Sequence, residues 1–178
     1  MKYIVKLALV PAAVAAAMAT GSLAGGLPGG ATSLVETHGS WQLNCSDEAA
    51  TVNCIISQAQ INSETEQQML AIELRPDGAG GLSGALVLPF GLALSQGVAV
   101  GIDDQEANAA LGFTTCLPVG CIVPIGFDAS SIDALGDANQ LSITATISDS
   151  GDPISLAVII PGMKSAVDRM QDILANDG

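Results

Sequence analysis

Leu141-Ser142-Ile143-Thr144-Ala145-Thr146-Ile147, the turn Ser148-Asp149-Ser150-Gly151-Asp152, and the return Ile154-Ser155-Leu156-Ala157-Val158-Ile159-Ile160 form the stretch that decides the fold. Leu141, Ile143, Ala145 and Ile147 alternate with Ser142, Thr144 and Thr146. A period of two puts one set on a buried face and the other on a wet face. The small polar run between the two halves turns the chain, so the segment predicts an antiparallel hairpin.

Upstream, the same period recurs. Trp41, Leu43 and Cys45 share a face, with Gln42 and Asn44 opposite. Further strands are predicted over about 52–61, then in a third with Leu70, Ile72 and Leu74 inward and Met69, Glu73 and Arg75 opposite, and over 82–88, 98–102, 111–115 and 122–127. Pro76-Asp77-Gly78-Ala79-Gly80-Gly81 and Asp103-Asp104-Gln105-Glu106 are turns between them. Residues 128–135 suggest a short helix capped by Asp128. Beyond Pro161-Gly162 the period becomes helical. Met163, Ala166, Val167, Met170, Ile173 and Leu174 fall on one stripe, with Lys164–Asp168 and Arg169–Asp172 as pairs on the wet side. Eight or nine short antiparallel strands with frequent turns predict an all-β domain, a β-sandwich or open barrel, closed by a C-terminal amphipathic helix.

The N-terminus carries a different signal. Lys2 and Lys6 precede an apolar run from Leu7 to Met18, followed by small residues that offer cleavage before Thr20 or Gly25. This order predicts a secretory signal peptide over residues 1–24. The run is too short to cross about 30 Å of hydrocarbon, and Pro11 interrupts it. Residues 25–35 are small and breaker-rich and read as a flexible tether. Residues 36–178 then form a single disulfide-stapled domain, long enough to bury roughly 70% of its unfolded surface.

All eighteen carboxylates lie beyond residue 35, against Arg75, Lys164 and Arg169, a net of −15 outside the leader. Such a surface repels nucleic acid and anionic lipid. Four cysteines in an exported chain predict two disulfides, with three possible connectivities. The sequence favours local pairing. Pro118 and Gly120 make Cys116-Leu117-Pro118-Val119-Gly120-Cys121 a tight turn, and Cys45 and Cys54 can face each other across a hairpin. Spacings of eight and four residues do not suit a metal site, and no Cys-x-x-Cys redox pair is present.

The chain resembles the invasion-associated locus B family of bacterial exported proteins. The resemblance runs from about Trp41 to Ala166. It is carried by Trp41-Gln42-Leu43-Asn44-Cys45, Cys54 and Gln58, Leu88-Pro89-Phe90-Gly91-Leu92-Ala93-Leu94 and Gly97-Val98-Ala99-Val100-Gly101-Ile102-Asp103. Cys116, Gly120-Cys121 and Ile160-Pro161-Gly162, leading into a helix, complete it. It implies a compact β-rich periplasmic or outer-membrane-associated domain, linked in pathogens to host-cell entry, with no catalytic residues to carry over.

No catalytic constellation stands out. His38, the only histidine, reads as an exposed loop residue between tether and first strand. Gly81-Leu82-Ser83-Gly84-Ala85 leads into strand pattern, so it lacks the strand–turn–helix context of a nucleophile elbow. Asp149-Ser150-Gly151 lies at a hairpin tip, and Asp103, Asp104 and Glu106 read as a solvated turn without Ca²⁺-loop spacing. Trp41 is placed in the core. The expectation is therefore a non-enzymatic periplasmic or secreted protein, with no cofactor and no metal, that binds a protein or envelope partner. The alternative is a periplasmic carrier of a small apolar ligand. The candidate binding surface comprises the loops that the cysteines close: Leu117, Pro118 and Val119 as an apolar tip, Asp47 and Glu48 as an acidic one.

Overall fold

The computed structural model describes residues 26–49, 51–103, 105 and 109–176. The segment read as a signal peptide lies outside them. Eleven strands are formed among the described residues: β1 (Ser33–His38), β2 (Trp41–Glu48), β3 (Thr51–Ile61), β4 (Gln68–Pro76), β5 (Leu82–Leu88), β6 (Val98–Ile102), β7 (Ala109–Leu111), β8 (Thr115–Leu117), β9 (Gly120–Phe127), β10 (Gln140–Thr146) and β11 (Pro153–Ile159). Helix α1 (Ala129–Leu135) follows β9, and α2 (Met163–Ala175) closes the domain. All pairing is antiparallel. The larger sheet runs β1-β2-β3-β4-β5-β9-β8 and the smaller β11-β10-β6-β7.

The deciding hairpin forms as β10 and β11, with Ile143 opposite Leu156 and Ala145 opposite Ile154. Leu141, Ile143 and Ala145 are buried, as their alternation requires. On the larger sheet the buried face carries Trp41, Leu43, Ile56, Leu70, Ile72, Leu74, Leu86 and Val123. Two bodies share the cover of that face. Helix α2 packs on β1, β2 and β3 through Met163, Ala166, Val167, Met170 and Ile173. The smaller sheet takes the other half, β11 against β4 and β7 against β9. Asp128 caps α1 by accepting from Ser131 N (2.7 Å) and from Ser130 Oγ (2.8 Å).

β11 is an edge strand, and the larger sheet seals that edge with side chains. Gln58 of β3 accepts from Ile159 N (2.9 Å) and donates to Ile159 O (2.8 Å), so its amide stands in for one rung of a missing strand. Trp41 Nε1 donates to the same carbonyl (2.8 Å), and Gln60 Nε2 donates to Ala157 O. Gln58 is the one buried polar residue among those described, and both its amide nitrogen and its amide oxygen have a partner.

Residues 25–35 read as a tether, yet Leu27 is buried in the core and 33–35 belong to β1. The inward positions of β1 are Leu34, Glu36 and His38. Two of the three are polar, so the hydrophobic alternation that marks the other strands is absent here. His38 correspondingly lies in a strand and is half-buried, not in an exposed loop. Where β1 turns into β2, the chain touches the start of α2. A Cβ at Gly162 (φ 99°) would stand 2.0 Å from His38 O, so only glycine fits. Among the described residues no helix is long and apolar enough to cross a membrane.

Candidate functional site

Cys45 lies directly opposite Cys54 on β2 and β3, and Cys116 opposite Cys121 on β8 and β9; each pair is disulfide-bonded. Each bridge therefore closes a hairpin. At the second tip, Leu117 pairs with Gly120, leaving Pro118 and Val119 as a two-residue turn. Gly120 (φ 141°) passes so close to Leu88 that a Cβ would meet its carbonyl at 2.5 Å. Leu117 is 49% and Val119 66% exposed. Because Leu88 pairs with Cys121, the tip stands beside the Pro89-Phe90 turn, where Phe90 is 61% exposed. Three large apolar side chains thus project at one corner, around a hairpin that the disulfide holds rigid.

The acidic loop is elsewhere. Its tip lies where β3 begins, next to the end of β4, whereas the apolar tip lies where β5 ends. The two are at opposite ends of the larger sheet and form no common surface. Asp47 is half-buried; its carboxylate lies against Gly26 and its N–H donates to Thr32 O (3.0 Å). Glu48 alone is freely exposed there. Asp103 also has a structural part that its sequence context did not suggest. Its Oδ1 accepts from Asn139 N (2.9 Å) and Gln140 N (3.0 Å), fastening β6 to the start of β10. Asp104 and Glu106 lie outside the described residues.

Folding brings together a serine, a histidine and a carboxylate that no local motif links. His38 Nδ1 is 3.1 Å from Ser165 Oγ on α2, and Nε2 is 3.4 Å from Glu36 Oε2. The set is poorly arranged for nucleophilic catalysis. Ser165 Oγ donates to Gly162 O (2.9 Å), and Nε2 makes no hydrogen bond. Glu36 is held by Arg169, whose Nε and Nη2 donate to its two oxygens at 2.9–3.1 Å. The cavity of about 860 Å³ described below is lined by other residues. The cluster reads as a polar clamp between β1 and α2. The expected Arg169–Asp172 pair gives way to it, since Glu36 offers a bidentate partner; Lys164 does pair with Asp168 (3.1 Å).

The hydrogen bonds from Arg169 hold the Glu36 carboxyl below its usual value of 4.5, with smaller help from His38, against the opposing effect of burial. A depressed carboxylate stabilises the fold fully above the unfolded value and ceases to do so as pH falls through the folded one. Glu36→Gln is therefore expected to melt below the parent at pH 7, and the difference is expected to vanish as the pH drops below about 4.5. Paired thermal melts across pH 3 to 7 check this; a constant difference would refute the clamp.

Residues of both sheets and of α1 line a cavity of about 860 Å³. Val100, Ile102, Leu111, Ile125, Leu135 and Leu141 form apolar wall, and Glu73, Arg75, Ser83 and Ser131 bring polar groups to it. No sequence signal marked this space, because its walls come from seven strands and a helix. Among the described residues, no three metal-ligating side chains converge.

With this geometry in view, the family model described as invasion associated locus B (IalB) protein matches residues 41–171. The chain belongs to the invasion associated locus B family. An invasion protein B homolog of Brucella abortus is 37% identical over 142 residues, covering 80% of this chain and 82% of the relative. Invasion protein B of Bartonella bacilliformis is 33% identical over 146 residues, covering 81% and 78%. The crystal structure of invasion associated protein b from Bartonella henselae superposes with a TM-score of 0.73 at 32% identity, over 79% of this chain and 96% of that one. The matched span of the invasion associated locus B family begins at Trp41 and ends within α2. It thus takes in both disulfides, the Gln58–Ile159 seal and the apolar corner, and it leaves out β1.

Proposed function

We propose that this invasion associated locus B protein is exported, sheds residues 1–24, and acts without catalysis in the periplasm or outside the cell, or held at the outer membrane. Its task is to bind a protein partner of the envelope or of a host surface. The observation that carries this reading is the exposed apolar corner of Leu117, Val119 and Phe90 on a hairpin closed by Cys116–Cys121. A rigid apolar tip loses little conformational entropy on docking, so its burial is retained as affinity. Relatives named as invasion proteins support a role in contact with other cells.

The test uses the chain recovered from the cell envelope, whose N-terminus is expected at Thr20 or Gly25. Leu117→Ser with Val119→Ser is expected to keep the melting temperature within about 2 °C, since exposed positions carry little stability. Cross-linked partner capture should fall at least tenfold. Unchanged capture would refute the corner as the docking surface. His38→Ala should leave capture intact, and loss of function there with the fold preserved would put an enzyme first.

A second reading, a carrier of a small apolar ligand, is favoured by the cavity between sheets and helix. Its volume falls inside the range of about 300–1,000 Å³ typical of small-ligand sites.

A further inference from the structure

Resting on the reading of the apolar corner as a docking surface, we infer that the partner meets it with a basic face, an apolar centre ringed by lysine and arginine side chains. In the larger sheet β5 lies between β4 and β9, so three chain exits share one end. They are the β3–β4 turn over 62–67, the Pro89-Phe90 turn and the tip of the β8–β9 hairpin. The β10–β11 turn of the smaller sheet joins them, because Ser148 N donates to Gly91 O (2.8 Å) and Leu92 bridges Ile147.

Charge at this end has one sign. Glu64 and Glu66 are exposed on the β3–β4 turn, and Asp149 and Asp152 are exposed on the β10–β11 turn. Among the described residues none of these four carboxylates is in an ion pair. The apolar tips between them come from chain without any charge, 78–102 and 107–127. No basic residue occurs between Arg75 and Lys164. Arg75 lies at the opposite end of β4, and Lys164 and Arg169 are on α2, each bridged to a carboxylate. An apolar centre inside a polar rim is how docking faces are built, and the rim charges select the partner and speed its arrival. A second copy packed tip to tip would bring the same four carboxylates against its own, and an anionic lipid surface is repelled likewise. A face carrying lysine and arginine neutralises the rim while Phe90, Leu117 and Val119 enter its apolar centre.

Stopped-flow binding of the full folded domain to a fluorescent helical peptide, leucine on one face and lysine elsewhere, tests this. Its counterparts carry glutamine or glutamate in place of lysine. The lysine peptide is expected to bind at least tenfold tighter than the glutamine one, and the glutamate peptide more weakly still. Glu64→Gln, Glu66→Gln, Asp149→Asn and Asp152→Asn together should slow association at least tenfold and leave dissociation within about threefold. All four positions are exposed, so the melting temperature should hold. Removing as much charge elsewhere, by Glu73→Gln, Asp133→Asn, Asp137→Asn and Asp172→Asn, should change association less than about twofold at physiological salt, where the screening length is about 8 Å. Leu117→Ser with Val119→Ser should instead speed dissociation at least tenfold. Undiminished binding by that last variant would overturn the corner as docking surface, and the basic partner with it. If it loses binding while the three peptides bind alike, or the two charge variants slow association equally, the corner stands and the basic face is overturned. Absence of any binding to the lysine peptide overturns the basic face as well. Tighter binding to phosphatidylcholine vesicles than to the lysine peptide, lost in Leu117→Ser with Val119→Ser, would put a membrane in place of the protein partner.

Discussion

Gln58→Leu is expected to cost about 2–4 kcal/mol of unfolding free energy, from one orphaned N–H and one lost acceptor bond. Leucine is only one heavy atom smaller, so the lost hydrogen bonds outweigh the small change in packing. In the parent, Gln58 bonds both the N–H and the C=O of Ile159 on the edge of β11. After the change the carbonyl still receives Trp41 Nε1, but the N–H has no replacement. The seam that fails is the one joining the two sheets, so the loss should be cooperative and global. Urea unfolding at pH 7 measures it, with a fall in melting temperature of about 10 °C. Gln58→Glu supplies the control. Its ionised carboxylate can accept from the N–H but faces the Ile159 carbonyl with like partial charge. The variant should therefore be weaker at pH 7 than at pH 4, where the protonated acid can donate. If Gln58→Leu costs less than about 0.5 kcal/mol, the edge is satisfied by water and the seal is no part of the stability.

Removing the first disulfide should have an effect of similar size. Cys45→Ala with Cys54→Ala is expected to cost about 3 kcal/mol, and Cys116→Ala with Cys121→Ala about 2, on the entropy of closing rings of roughly ten and six residues. The order is reinforced by burial. Cys45 and Cys54 are both in the core, whereas Cys116 is exposed. Truncating the first pair also leaves space among packed side chains, which adds a cavity cost that the exposed sulfur does not incur. Mild thiol should accordingly open Cys116–Cys121 first, as accessible sulfur is attacked soonest. Equilibrium unfolding of the two double variants, with peptide mapping of the partly reduced protein, checks both statements. Equal losses, or first opening of Cys45–Cys54, would show that ring size and burial do not govern the bridges.

Most strands were legible because their inward faces are uniformly apolar. Leu141, Ile143 and Ala145, or Leu70, Ile72 and Leu74, declare themselves without any partner in view. β1 did not, because Glu36 and His38 occupy its inward positions and make sense only once α2 presents Arg169 and Ser165 to them. Leu27 is illegible from sequence for a related reason. A single apolar residue among glycines carries no period, so only the finished core shows that it is buried.

The candidate site divides along the same line. Local pairing of the cysteines and the apolar tip at Leu117–Val119 follow from spacings of a few residues, which short-range turn chemistry governs. Separation of that tip from Asp47 and Glu48, and its approach to Phe90, depend on the order in which strands join a sheet. No local window contains that order. The sequence alone determined the alternation, the hairpin at 141–160, the C-terminal stripe and the excess of acid, since each is a property of neighbouring residues. Tertiary structure alone decided that Gln58 seals an edge 101 residues away and that Arg169 turns from Asp172 to Glu36. Those outcomes are contacts between distant segments, and a side chain's partner is set by what the fold packs against it.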